Sequence, residues 1–171
     1  SVTSATDPEE PYVIMMLAAL LDGHASARLP QTLERELGLV DSVEVQYYPL
    51  SRYEAELGFY AIPKEGVAYE EVYAAFEEVL HTLATQPISE EEWQQAQSVL
   101  LMEHAQGIES VGEWGRGAGL LETLGLSYEL LDTWIDQVNQ VSPVSLQLWI
   151  NQLWENQKPV DFSVYSSASA L

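Results

Sequence analysis

Apolar residues crowd positions 12–21, YVIMMLAALL, with no charge among them. The run is too short to span a bilayer and fits a buried helix. Asp22-Gly23 is expected to stop it, because Gly accepts the left-handed conformation that often ends a helix. Leu29, Leu33 and Leu37 then recur at i, i+4 and i+8, one apolar stripe on a second helix that Gly38 closes. From 42 to 50, Val43, Val45 and Tyr47 alternate with Ser42, Glu44 and Gln46, as in a half-buried strand. A second strand is predicted over 54–62, with Ala55, Leu57, Phe59 and Ala61 on one face. A short hairpin connection, Ser51-Arg52-Tyr53, joins the two.

Pro63 to Gly66 forms a turn cluster. A third helix is predicted over 67–85, with Tyr69, Val72, Phe76, Val79, Leu80 and Leu83 as its stripe. Pro87 forces a break. Ser89 and Glu92 then form a capping box, flanked by Ile88 and Trp93 as a hydrophobic staple, and open a helix that runs to about 108. The stretch GEWGRGAG reads as a flexible connection. A helix carrying Leu120, Leu121 and Leu124 comes after it. Ser127 caps another with Leu131, Trp134, Ile135 and Val138 on one face. Ser142-Pro143 places Pro at the first position of a last helix, with Leu146, Ile150, Leu153 and Trp154 as its stripe. Residues 160–165 alternate weakly, as a final strand. The pattern predicts an α+β fold: helices packed on one face of an antiparallel sheet. Residues 1–9 read as a disordered lead-in, 10–165 as one domain and 166–171 as a loose tail.

Charge changes the picture more than length does. The 171 residues carry six Lys+Arg against 27 Asp+Glu, a formal net charge of −21 spread along the chain. Such a field repels phosphate backbones and anionic membrane surfaces, which argues against both as partners. It suits a solvated surface, or one that steers basic peptides. Apolar residues make up 47%, so a disordered chain is not expected. Cys is absent, which removes disulfides and thiolate or Cys–zinc chemistry. The polar, acidic start has no basic n-region, so no signal peptide is read there. Beginning at Ser1, the chain reads as an excised or mature product.

The segment LLDGHASARLPQTLERELGLVDSV resembles the insulinase/pitrilysin zinc metallopeptidase family, which includes the mitochondrial processing peptidases. The family pattern "iLGG…SRLfqeLRekrGLaYsV" takes in Leu21-Asp22-Gly23, Ala27-Arg28-Leu29, Leu33, Gly38-Leu39 and Ser42-Val43 without gaps. The likeness covers about residues 10–160. It implies a ferredoxin-like sheet within one half of a clam-shell, its first strand lying upstream of Ser1. The family's activity depends on an inverted zinc motif, H-x-x-E-H, on the first helix of its catalytic domain. Two His one turn apart bind zinc there and the Glu acts as general base. The corresponding helix here, VIMMLAALL, has neither His nor Glu. The resemblance therefore implies a non-catalytic half, inactive alone. It packs against a homologous zinc-bearing half, in the same polypeptide or a separate subunit, to enclose a peptide substrate. Zinc is expected only in that partner, and no metal ligand is assigned in this chain.

The non-catalytic half of such peptidases contributes an Arg and a Tyr to the active site. Those places hold Glu34 and Asp41 here, so neither role carries over. Arg28 matches the Arg of "SRL" and is expected in packing or an ion pair first, substrate contact second. Arg35, one residue from the missing Arg, is turned about 100° around the helix. Arg28 and Arg35 are the candidate substrate-binding residues.

Other constellations are weaker. Leu100-Leu101-Met102-Glu103-His104 imitates the motif but has Leu at its first His, and adjacent helical residues diverge by about 100°. A surface or edge-of-stripe pair is the expected reading. His24 reads as a turn residue and His81 as exposed. The glycines of GEWGRGAG lack the G-K-[ST] ending of a phosphate loop. No G-x-S-x-G elbow exists. The first reading is thus a non-catalytic half of a zinc endopeptidase. The second is a degenerate scaffold or binding module of the same fold. An independent hydrolase comes last, since no constellation supports it. The "LDG…SARLP" variant of the pattern suggests bacterial periplasmic relatives.

Overall fold

The computed structural model describes residues 9–48, 56–107, 129–155 and 162–164. The hairpin connection predicted at 51–53, the helix predicted to carry Leu120, Leu121 and Leu124, the glycine stretch and both chain ends lie outside them.

Helix α1, Glu10–Asp22, is the centre of the core. It is apolar on nearly every side, and Val13, Ile14, Met16, Leu17, Leu20 and Leu21 are all buried, as expected of a helix enclosed by other elements. Gly23 does end it, but in the right-handed conformation (φ −60°), with its N–H on Ala19 O at 2.8 Å. The expectation of a left-handed stop is corrected. Gly is needed for closeness instead: a Cβ would meet Ala19 O at 2.6 Å. Glu10 is buried at the start of α1, where its Oε1 accepts a 3.1 Å hydrogen bond from the Trp149 indole N–H.

The second helical stretch, Pro30–Glu36, is a π-helix. Leu37 N–H bonds Thr32 O at 2.9 Å, five residues back. The widened turn rotates the residues at its end relative to an α-helical course. Leu29 and Leu33 are fully buried, but Leu37 is 54% exposed, so the predicted three-Leu stripe loses its last member. Gly38 takes φ +62°, which lets the chain reverse into the sheet.

Strands β1, Val40–Tyr48, and β2, Glu56–Pro63, pair antiparallel, with Val43 opposite Ala61 and Val45 opposite Phe59. The register slips between Val40 and Ser42, which places the extra residue, Asp41, exposed at the bulge. Strand β3, Phe162–Val164, runs parallel to β2, so the described sheet is mixed, in the order β1-β2-β3. Val43, Phe59 and Ala61 are buried under the helices, whereas Ser42, Glu44 and Ile62 on the other face are exposed. This is the α+β arrangement the pattern predicts, helices on one face.

Helix α2, Tyr69–Thr85, buries Val72, Phe76, Val79, Leu80 and Leu83. Tyr69 is 49% exposed: at the first position of α2 it lies beyond the edge of the core, and the stripe begins at Val72. Helix α3, Glu90–Gly107, starts as the capping signal predicts, with Glu92 N–H on Ser89 Oγ at 3.2 Å and Trp93 buried. Helices α4, Glu129–Gln140, and α5, Pro143–Glu155, complete the layer. Ser142 and Ser145 cap each other at the start of α5, each backbone N–H on the other's hydroxyl at 3.0 and 3.1 Å. Gln147 of α5 donates to Leu83 O and Gln86 O, satisfying carbonyls at the end of α2. On α4, Val138 is buried but Ile135 is 45% exposed, so the predicted stripe narrows. No helix among the described residues is long and apolar enough to cross a membrane.

Candidate functional site

The position at which a zinc motif would fall is α1, which faces β1 on one side and α3 on the other. Between these elements and α4 lies a cavity of about 480 Å³. From α1 it is lined by Met15, Ala18, Ala19 and Asp22. Three of these, Met15, Ala18 and Ala19, offer zinc no nitrogen or carboxylate ligand. Across the cavity stand Glu44 and Tyr47 of β1 and Glu103 and His104 of α3. No three acidic or His side chains among the described residues come together closely enough to hold a metal ion. Among the described residues the donor set does not fit a catalytic zinc.

Among the described residues, the outer edge of β1 meets side chains rather than a strand. Val43 N–H donates to Glu34 Oε1 and Val45 N–H to Asp22 Oδ2, each at 3.0 Å. Two carboxylates, one from the π-helix and one from the end of α1, thus satisfy backbone donors that the sheet leaves open. Burial pushes the Asp22 carboxyl above its usual range, and Glu44 and Glu34 add to this, while the bond from Val45 opposes it. Sequence reasoning placed Glu34 only as the missing Arg of the family pattern. Its structural use was not legible, because Val43 is reached only after the chain reverses at Gly38.

Arg28 makes a two-pronged ion pair with Glu92: Nε to Oε1 at 2.6 Å and Nη2 to Oε2 at 3.1 Å. The pair ties the start of the π-helix to the start of α3. It also corrects the capping box: the Glu92 carboxylate holds Arg28 rather than turning back to Ser89. The two side chains are 18% and 26% exposed, between surface and core. Replacing Arg28 by Met is expected to cost about 1–2 kcal/mol, more than an exposed pair and less than a buried one. A double-mutant cycle with Glu92→Gln, read by urea unfolding, measures the coupling. Arg35 is exposed and donates to Gln31 Oε1 at 3.2 Å, one turn back. The two arginines do not converge on one site through any described contact.

His104 lies at the edge of the helix's buried side, the second of the two expected readings. It is half-buried and stacks on Trp134, ring centroids 4.2 Å apart and 4° from parallel. Glu103 beside it is exposed, as the helical turn requires. Burial lowers the His104 pKa below the ordinary value. The unfolded chain therefore takes up that proton first as pH falls, and the folded form loses stability from about pH 6.5 down to the lowered folded value. His104→Gln is expected to flatten this part of the stability–pH curve. An NMR titration of the imidazole tests the direction. His24 Nδ1 accepts from Ser26 N–H at 3.1 Å, as befits a turn residue, and His81 is exposed.

The architecture is a sheet covered on one face by helices, its helix α1 holds no His, and the described residues hold no cluster fit for a metal ion. The chain belongs to the peptidase M16 inactive-domain family, whose description, "Peptidase M16 inactive domain", matches residues 2–100. Solved structures share the fold. One is a protein from Bordetella pertussis Tohama I assigned as a zinc protease, 19% identical, TM-score 0.73, covering 87% of this chain and 81% of that one. Another is the inactive peptidase domain of a similarly assigned Bordetella parapertussis protein, 18% identical, TM-score 0.72, covering 87% and 79%. A protease from Helicobacter pylori is 14% identical with TM-score 0.79. It covers 97% of this chain, which spans 39% of that larger molecule. No curated protein matches the sequence.

Proposed function

We propose that this chain is the non-catalytic half of an insulinase-type zinc endopeptidase, packing against a zinc-bearing half to enclose peptide substrate. The observation that carries the reading is α1: within a chain of the inactive-domain family, it has no His and lines the cavity with Met15, Ala18 and Ala19. The partner supplies the metal and the general base. This half supplies a wall of the chamber, and its −21 charge favours peptides rich in Lys and Arg. Of the two candidate arginines, Arg35 is the accessible one and is assigned to substrate contact. Arg28, held by Glu92, is assigned to holding the fold. The compartment proposed for the assembly is the periplasm of a bacterium.

A second reading, a degenerate scaffold of the same fold, draws on Glu34. At the place of the family's Arg it is turned inward to Val43 N–H. The test is purification of the chain with the zinc-bearing half from the same source, and peptide cleavage by each half and by the pair. Cleavage by the pair alone supports the peptidase reading. A stable pair with no cleavage supports the scaffold.

A further inference from the structure

We propose that Asp22 and Glu34 guard the outer edge of β1, so that a second copy of this chain cannot add its own β1 there as a strand. With nine residues, β1 presents an edge about 30 Å long. Its later part, VEVQYY, is rich in β-branched and aromatic residues and carries one charge, a composition that pairs readily with another strand. β2 covers one side of β1, and among the described residues no strand covers the other. An edge of this length is a template for strand addition unless something obstructs it.

The obstruction comes from two separate elements. Val43 N–H and Val45 N–H turn away from β2, and each donates at 3.0 Å to a carboxylate: Glu34 Oε1 of the π-helix and Asp22 Oδ2 at the end of α1. An added strand would need both N–H groups for its own carbonyls. It would have to displace two ionised acceptors, whose bonds are stronger than the neutral ones replacing them. Glu44, between the two valines, is exposed. If two β1 strands paired antiparallel with Val43 of one opposite Val45 of the other, Glu44 would face Glu44, and like charges directly opposite oppose pairing. Asp41 adds an exposed charge where the register slips. The guard is kept at a cost: burial raises the Asp22 carboxyl, and Glu44 and Glu34 add to this against the opposing bond from Val45. A neutral amide could accept the same bond without that cost, but it would not repel a second copy carrying −21.

The guard is a property of this chain alone and does not depend on the peptidase reading. Sedimentation velocity of the 171-residue chain is run over a wide concentration range, at low salt and at about 1 M salt, where surface charges are screened within about 3 Å. The parent is expected to stay monomeric in both. Asp22→Ala with Glu34→Ala is expected to self-associate, at least about 10-fold more tightly than any association of the parent. Glu65→Ala with Glu78→Ala removes two exposed charges but bares no N–H of β1, and should remain monomeric. Amide exchange at Val43 and Val45 locates the contact: in the double guard variant it is fast when dilute and slows as concentration rises. Asp22→Ala and Glu34→Ala are also measured singly, each keeping one carboxylate on the edge, so that a double variant that fails to fold still leaves folded chains to read. Each single variant is expected to associate more weakly than the double. The proposal is overturned if the folded guard variants stay monomeric, if they associate while exchange at the bared valine stays fast, or if the parent at high salt or the Glu65–Glu78 variant associates as they do.

Discussion

Replacing Phe59 by Ala is expected to lower the stability of the chain by about 3–5 kcal/mol, the loss typical of emptying a large aromatic from a core. Phe59 is 2% exposed at the middle of β2, the central described strand, and it stacks on Phe76 of α2 with centroids 4.2 Å apart. The substitution removes both the buried area and the ring pair that fixes helix to sheet. Small domains carry roughly 5–15 kcal/mol in all, so the variant should be partly unfolded at 37 °C. Urea unfolding at fixed salt measures it, and salt must be fixed because a net charge of −21 repels itself. A loss below about 1 kcal/mol would mean that Phe59 is not core.

The paired substitution Asp22→Ala with Glu34→Ala is expected to be nearly as damaging. Each leaves a part-buried backbone N–H of β1, that of Val45 or Val43, without its acceptor. A lost partner of this kind costs about 1–3 kcal/mol, so the pair approaches a core deletion. Amide exchange at Val43 and Val45 should accelerate together. Asp22→Asn gives the sharper contrast. It keeps an acceptor but removes a charge that burial disfavours. Because the folded-state pKa of Asp22 is raised, its contribution to stability is fullest below the unfolded value and fades as pH rises through the folded one. At neutral pH, Asp22→Asn should therefore be near neutral or stabilising, and Asp22→Ala should not.

These residues also mark where the sequence stops being legible. Local patterns were readable: the apolar run of α1, the Val72-to-Leu83 stripe, the Ser89 cap and the break at Ser142-Pro143 all depend on residues within a turn or two of one another. The π-helix was not, since Leu29, Leu33 and Leu37 satisfy an α-helical period on paper and only the i+5 bond at Thr32 turns Leu37 outward. Nor was the partner of Glu92, 64 residues away, or the parallel pairing of β3 on β2. The absence of His from α1 could be read directly. The closed edge of β1 and the cavity beside it could not, because Asp22, Tyr47 and His104 meet only when three elements pack.

The most direct test of the central claim is the metal content of the purified chain after zinc incubation and desalting, with peptide cleavage assayed on the same sample. The proposal expects no retained zinc and no cleavage by this chain, with activity arising only when a zinc-bearing half is added. One tightly held zinc per chain, or cleavage without a partner, would contradict it, and Glu103 and His104 would become the first residues to replace.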